Sequence, residues 1–224
     1  MINIKKSTPP PACLENEKEK ASGNYRCGDV LERTRKDFLN KCYICELGFP
    51  TTVNVEHFVP HKGDKNLKFD WNNLFWSCGH CNNTKIDRYE NILNCTNPEH
   101  DVMNWIEYEL KPFPTTTIEV HAIPDQKNNP LVQNTVRLLK DVYNGTTTLK
   151  KLEAENLRTL LLNECTDFQE QLERYYNCEH EEDKALLYRI ITKHLSKDSP
   201  FTAFKRWVIK QNPVFLRDFG NSFD

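Results

Sequence analysis

No stretch of these 224 residues approaches the roughly 20 consecutive apolar positions that a membrane-spanning helix requires, and that excludes a helical membrane protein. Glycine is scarce at seven residues, the twelve prolines follow no repeat, and low-complexity classes are excluded with them. An excess of positive charge is also missing. Thirty Lys and Arg face 32 Asp and Glu, for a net charge of −2 and a pI near 6.4. A protein that gripped nucleic acid unaided would ordinarily be basic, so any such role needs a local basic surface or a partner. Lys5 and Lys6 run into Ser7-Thr8-Pro9-Pro10-Pro11 instead of an apolar segment, which is not the form of a secretory leader. A cytoplasmic location is expected.

What is present is enough to fold. Hydrophobic residues make up 38% of the chain, sufficient for one compact domain or two small ones. The layout predicts an α+β protein in three parts: a polar, Pro-rich N-terminal arm over 1–28, a zinc-bound domain over 29–112, and a mostly helical region over 113–224. Val30, Leu31, Phe38 and Leu39 can share one face of a helix near Asp29–Leu39. Val53 and Val55 alternate with Asn54 and Glu56, which predicts a short strand ending near His57. Ile86, Tyr89 and Leu93 have helical spacing. Beyond Pro114 the chain is expected to be mostly helical. Leu138, Leu139, Val142 and Tyr143 end at an Asn144-Gly145 stop. Leu149, Leu152, Leu157, Leu161, Phe168, Leu172 and Tyr175 predict a longer helix, and Leu187, Ile190, Ile191 and Leu195 a third. Ser199-Pro200 is expected to open a fourth, with Phe201, Phe204, Trp207 and Val208 on its apolar face.

Four of the nine cysteines fall into two Cys-x-x-Cys turns, Cys42/Cys45 and Cys78/Cys81. Each turn presents two sulfurs to one ion, and two turns complete a tetrahedral four-thiolate zinc site with no open position for water. That zinc is structural. Cys13, Cys27, Cys95, Cys165 and Cys178 are scattered and read as ordinary small residues, because a reducing compartment disfavours disulfides.

The residues between and after the knuckles point to chemistry. Glu56 and His57 end the expected strand, Asn73 precedes the second knuckle, and Asn82 follows it. With the loop closed by zinc, a carboxylate, an imidazole and an amide oxygen can converge. A hard cation such as Mg²⁺ or Mn²⁺ takes oxygen ligands and neutralises charge on a scissile phosphate. A neutral imidazole can deprotonate an attacking water near pH 7, provided a side chain or backbone carbonyl fixes its tautomer.

The run Glu56-His57-x-x-Pro60, Asn73-Leu74, Ser77-Cys78-x-x-Cys81-Asn82-x-x-Lys85 resembles the HNH, or ββα-metal, endonuclease family. The resemblance implies His57 as general base, Asn73 as the residue that orients it, and Glu56 and Asn82 as catalytic metal ligands. The family's last position is a His where this chain has Asn82. That leaves Asn83, His61 and His80 as competing ligands, and leaves Lys85 between a phosphate contact and an ordinary exposed lysine. Ile4-Lys5-Lys6-Ser7-Thr8-Pro9-Pro10-Pro11, Asp37-Phe38-x-x-Lys41-Cys42-Tyr43-x-Cys45-Glu46 and Glu56-His57-Phe58-x-Pro60-His61 are also similar to the PtuB-like HNH component of Septu and retron-associated anti-phage systems. That similarity implies an ABC-type (PtuA-like) ATPase as partner, with a retron reverse transcriptase and its DNA–RNA product as further members.

The alternative function is a non-catalytic four-cysteine zinc module that binds nucleic acid or protein. DNA is the favoured substrate of the nuclease, and RNA such as tRNA is the competitor. Between His57 and Arg88, Lys62, Lys65, Lys68, Lys85 and Arg88 exceed Asp64, Asp70 and Asp87 by only two charges, too few to define a groove.

Overall fold

In the computed structural model, which describes residues 1–223, the two knuckles are joined by a two-stranded antiparallel hairpin. Strand β1 (Val53–His57) pairs with β2 (Leu74–Cys78) in a register that sets Val53 opposite Cys78 and His57 opposite Leu74. Two helices precede the hairpin, α1 (Cys13–Glu19) and α2 (Gly28–Asp37). The strand-to-strand connection carries a single helical turn, α3 (Lys65–Lys68), whose start is capped by the Asp64 side chain. Helix α4 (Gly79–Lys85) leaves β2 at the second knuckle and packs back across the hairpin. β2 is buried along its whole length, so its side chains show no polar–apolar alternation.

A second hairpin follows, β3 (Ile106–Lys111) with β4 (Thr117–Ala122), where the sequence reading expected helix from Pro114 onward. Ile106 and Tyr108 alternate with Glu107 and Glu109, and Ile118 and Val120 with Glu119 and His121, a period of two that buries one face. The expected helical stripe at Ile86, Tyr89 and Leu93 also fails. α4 stops at Ile86, whose φ of 44° ends the helix, and Leu93 reaches the core from an irregular segment.

Five α-helices follow among the described residues: α5 (Pro130–Asn144), α6 (Thr148–Tyr176), α7 (Glu181–Leu195), α8 (Thr202–Gln211) and α9 (Pro213–Phe219). α5 ends at Asn144-Gly145, as the stop signal predicts. α6 buries Leu157, Leu161, Phe168 and Leu172 but outruns the core at its start, leaving Leu149 and Leu152 exposed. α8 begins two residues later than the Ser-Pro signal implies. Phe201 sits at its cap with φ 51°, and Val208 lies outside the buried face.

One apolar core runs through the zinc module, the β3–β4 hairpin, α5, the first half of α6 and the start of α8. A smaller cluster joins the second half of α6 to α7, α8 and α9. The segment read as an arm is packed into the large core. Met1, Ile2 and Leu14 are buried, Ile4 N donates to Cys95 O at 2.8 Å, and Ser7 accepts the Trp71 indole N–H at 2.9 Å through its carbonyl. Two of the scattered cysteines are also not ordinary small residues. Cys13 and Cys27 form a disulfide, because α1 and α2 fold back on each other and bring their Cα atoms to 6.4 Å.

Candidate active site

Cys42, Cys45, Cys78 and Cys81 come together with their sulfurs within 4.8 Å of one another, and all four are buried. Cys45 Sγ lies 3.8 Å from Cys78 Sγ. The edge of a tetrahedron with Zn–S bonds of about 2.3 Å is about 3.8 Å, so the cluster has the size of a structural zinc site. Hydrogen bonds from the other three thiols favour the thiolate of Cys78, while burial pushes the Cys45 and Cys81 thiols up. Four buried thiolates need a cation to neutralise them, and the donor set suits zinc. His80, between the second pair of cysteines, points away from the cluster. Its ring nitrogens lie 2.8 Å from Glu153 Oε2 and 2.7 Å from Val142 O, which ties the knuckle to α5 and α6.

The four-cysteine cluster lies at the Val53–Cys78 end of the β1–β2 hairpin, and Glu56 and His57 sit at its opposite end. Successive side chains of a strand face opposite ways, so neighbouring Glu56 and His57 have different surroundings. Glu56 turns toward α4. Its carboxylate lies 3.8 Å from Lys85 Nζ, and its Oε1 is buried without a hydrogen-bond partner among the described residues. Burial raises its pKa to about 7, against the opposing pull of Lys85. Lys85 is neither an exposed lysine nor a phosphate contact. It is fully buried and donates to the His57 carbonyl at 3.1 Å, so it ties the end of β1 to α4. Asn82, one helical turn before Lys85, is half-buried, while Asn83 is exposed.

His57 faces the other way. Its ring packs against Tyr25, with centroids 4.5 Å apart, and against His61, at 4.6 Å. Its Nε2 lies 3.0 Å from the Lys68 carbonyl. A carbonyl oxygen only accepts, so Nε2 carries the hydrogen and Nδ1 keeps the free lone pair. Burial lowers the pKa of the ring, the Lys68 hydrogen bond opposes this, and the imidazole is neutral at pH 7. Asn73 does not touch this ring. Its amide accepts from Val59 N at 2.7 Å and donates to Val59 O at 2.9 Å and Leu67 O at 3.1 Å. It therefore braces the loop that carries Lys68, and its effect on His57 passes through that carbonyl.

Glu56 and His57, neighbours at the end of β1, thus have different partners: Lys85 for the carboxylate, and the Lys68 carbonyl and two aromatic rings for the imidazole. Tyr25 and the Lys68 carbonyl were missed in the sequence. A backbone carbonyl leaves no residue signature, and Tyr25 is 32 residues from His57 with only the Cys13/Cys27 pair to hint that its segment folds back. Among the described residues, no second cluster of three or more His, Cys, Asp or Glu has metal-binding spacing.

A four-sulfur knuckle, a ββα unit and a tautomer-fixed imidazole at the strand end define a nuclease-type site. Residues 42–88 match the family model for HNH endonuclease, a span from the first knuckle cysteine through β1, β2 and α4 to Arg88. No curated protein matches the chain.

Proposed function

We propose that the protein is a metal-dependent HNH nuclease that hydrolyses phosphodiester bonds of nucleic acid with His57 as general base. The observation that carries this reading is the His57–Lys68 hydrogen bond, which leaves Nδ1 as the basic atom on a ring held neutral near pH 7. Nδ1 takes the proton of the attacking water, and the Lys68 carbonyl stabilises the imidazolium that results. Asn73 holds the loop so that this carbonyl stays in place.

Glu56 and Asn82 are the residues that would hold a catalytic Mg²⁺ or Mn²⁺. The Glu56 carboxylate, whose Oε1 accepts no hydrogen bond among the described residues, and the amide of Asn82 are hard oxygen donors on the two elements, β1 and α4, that face each other. When bound, the cation supplies charge neutralisation at the scissile phosphate and at the leaving oxygen. The nearby charge of Lys85 favours the ionised carboxylate and partly offsets the effect of burial on Glu56. The four cysteines hold a structural Zn²⁺.

DNA is the favoured substrate, with RNA such as tRNA as the competitor. The likeness of Ile4–Pro11 and of the Lys41–Glu46 knuckle to Septu and retron-associated components supports a role as effector of an anti-phage complex. The partners would be an ABC-type ATPase, docked on the helical C-terminal region, and a retron reverse transcriptase with its DNA–RNA product. A near-neutral protein gains from such a partner, which would supply part of the grip on substrate. A passive zinc module would need no tautomer-fixed imidazole, and for this reason the nuclease is preferred.

The test offers plasmid DNA and total cellular RNA side by side, with Mg²⁺ or Mn²⁺, to zinc-loaded protein with and without a candidate ATPase. Divalent-metal-dependent cutting of one substrate supports the reading and assigns its class. Cutting that persists at full rate in EDTA, with zinc retained, would contradict it.

A further inference from the structure

We propose that the disulfide-closed loop between Cys13 and Cys27 is a positioning element for the general base, with Tyr25 as the residue that holds the His57 ring. The inference rests on the nuclease reading of His57. Hydrogen bonding at Nε2 fixes the tautomer but leaves the ring free to tilt about that bond. Two neighbouring rings limit this freedom: those of Tyr25 and His61, with centroids 4.5 Å and 4.6 Å from that of His57. His61 is itself held, since its Nδ1 accepts from Gly63 N at 3.1 Å. Tyr25 must be held from elsewhere, because it lies in the irregular stretch 20–27 between α1 and α2.

Three features hold it. The disulfide closes the segment at both ends, at the start of α1 and just before α2. The loop is pinned internally by Glu17, whose carboxylate accepts from Asn24 N at 2.7 Å, one residue before Tyr25. Its middle is clamped to α3: Lys68 Nζ donates to Gly23 O at 3.0 Å, and Lys65 Nζ lies 3.4 Å from the carbonyls of Lys18 and Lys20. Gly23 is needed for that approach, since a Cβ there would stand 1.8 Å from Glu17 O and 3.0 Å from the Phe69 ring. Lys68 thus grips the base through its carbonyl and the loop through its ammonium. One residue sets both the tautomer of His57 and the position of the ring packed against it. Tyr25 is half-buried and its ring lies tilted against that of His57, so the ring and not the hydroxyl does the positioning.

The experiment uses the full zinc-loaded chain and compares Tyr25→Ala, Tyr25→Phe and the Cys13→Ser/Cys27→Ser double variant with wild type. A misplaced base lowers kcat while leaving substrate binding intact, and a shift of about 1 Å costs up to ~10²-fold. Tyr25→Ala is expected to lose at least ~10-fold in kcat at unchanged KM. Tyr25→Phe should restore most of it, and the double-serine variant should show a smaller loss in the same parameter. Zinc content and melting temperature are the folding controls. In parallel, the His57 ring-proton resonance should move in Tyr25→Ala and in the double-serine variant and stay in place in Tyr25→Phe. A rise in KM with kcat unchanged would reassign Tyr25 to substrate stacking and overturn the proposal. So would a His57 resonance unmoved by Tyr25→Ala. The resonance needs no turnover, so a chain that cuts nothing counts against the nuclease reading while the resonance still decides this one.

Discussion

Single residues here carry charge into places where it is costly, and each is compensated by a named partner. Lys85 is buried beside Glu56 and bonded to the His57 carbonyl. Lys85→Met removes the cation from a buried carboxylate, and breaking such a pair from one side costs about 3–5 kcal/mol. We expect that loss in urea unfolding; a change under about 0.5 kcal/mol, the size of an ordinary surface substitution, would show that the pair is not formed. Lys6 offers a pH test. Its ammonium donates to the carbonyls of Trp71 and Leu74 and sits 3.9 Å over the Trp71 ring, yet burial pulls its pKa down to about 7. The folded protein therefore binds this proton more weakly than the unfolded chain. The resulting cost is complete below pH 7 and is relieved as the pH rises toward the ordinary lysine value. Wild type should gain stability relative to Lys6→Met between pH 7 and 9, by up to roughly 1 kcal/mol per pH unit. A flat difference across that range would contradict the assignment. The four clustered cysteines and the candidate residues Glu56, His57 and Asn73 all stand out in the sequence, because a Cys-x-x-Cys turn or a Glu-His pair signals its chemistry by residue type. The burial of Lys85 could not, since a lysine one turn beyond Asn82 reads the same whether it faces solvent or the strand.

At the scale of elements, short-range patterns were readable and pairings between distant segments were not. The helix ending at Asn144-Gly145 and the strand ending at His57 follow from stop signals and alternation within a few residues. The β3–β4 hairpin was missed although Ile118-Glu119-Val120-His121 alternates cleanly, because the leucine-rich stretches after it dominate the apolar pattern. The disulfide was missed for a different reason. Redox compartment was weighed, whereas the geometry of α1 against α2 decides whether two sulfurs meet. Helix α8 has a consequence for truncation. Phe201 N donates to Glu46 O, Ala203 N to Glu46 Oε2 at 3.1 Å, and Lys41 Nζ to the Lys197 and Ser199 carbonyls, all around the first knuckle. From α5, Tyr143 adds a hydroxyl bond to Cys45 O at 2.8 Å. A chain cut after Asn144 loses the α8 contacts and exposes the apolar residues they cover. It is expected to bind zinc weakly and to aggregate, whereas a soluble, zinc-loaded fragment would show that the knuckle folds alone.

At the scale of the molecule, the zinc module and the helical region share one core, so the cluster of four cysteines stabilises more than its own hairpin. Stripping zinc with a strong chelator should unfold residues 42–88 and lower the melting temperature of the whole chain in one transition. Two separate transitions would show that the regions fold independently. The central claim concerns His57 and is tested most directly by chemical rescue. Zinc-loaded His57→Ala should have lost metal-dependent cutting by ~10²–10⁴-fold, the usual contribution of a general base. Imidazole added to that variant should restore part of the rate, and should do nothing for wild type. If His57→Ala cuts at the wild-type rate with its zinc in place, His57 is not the base.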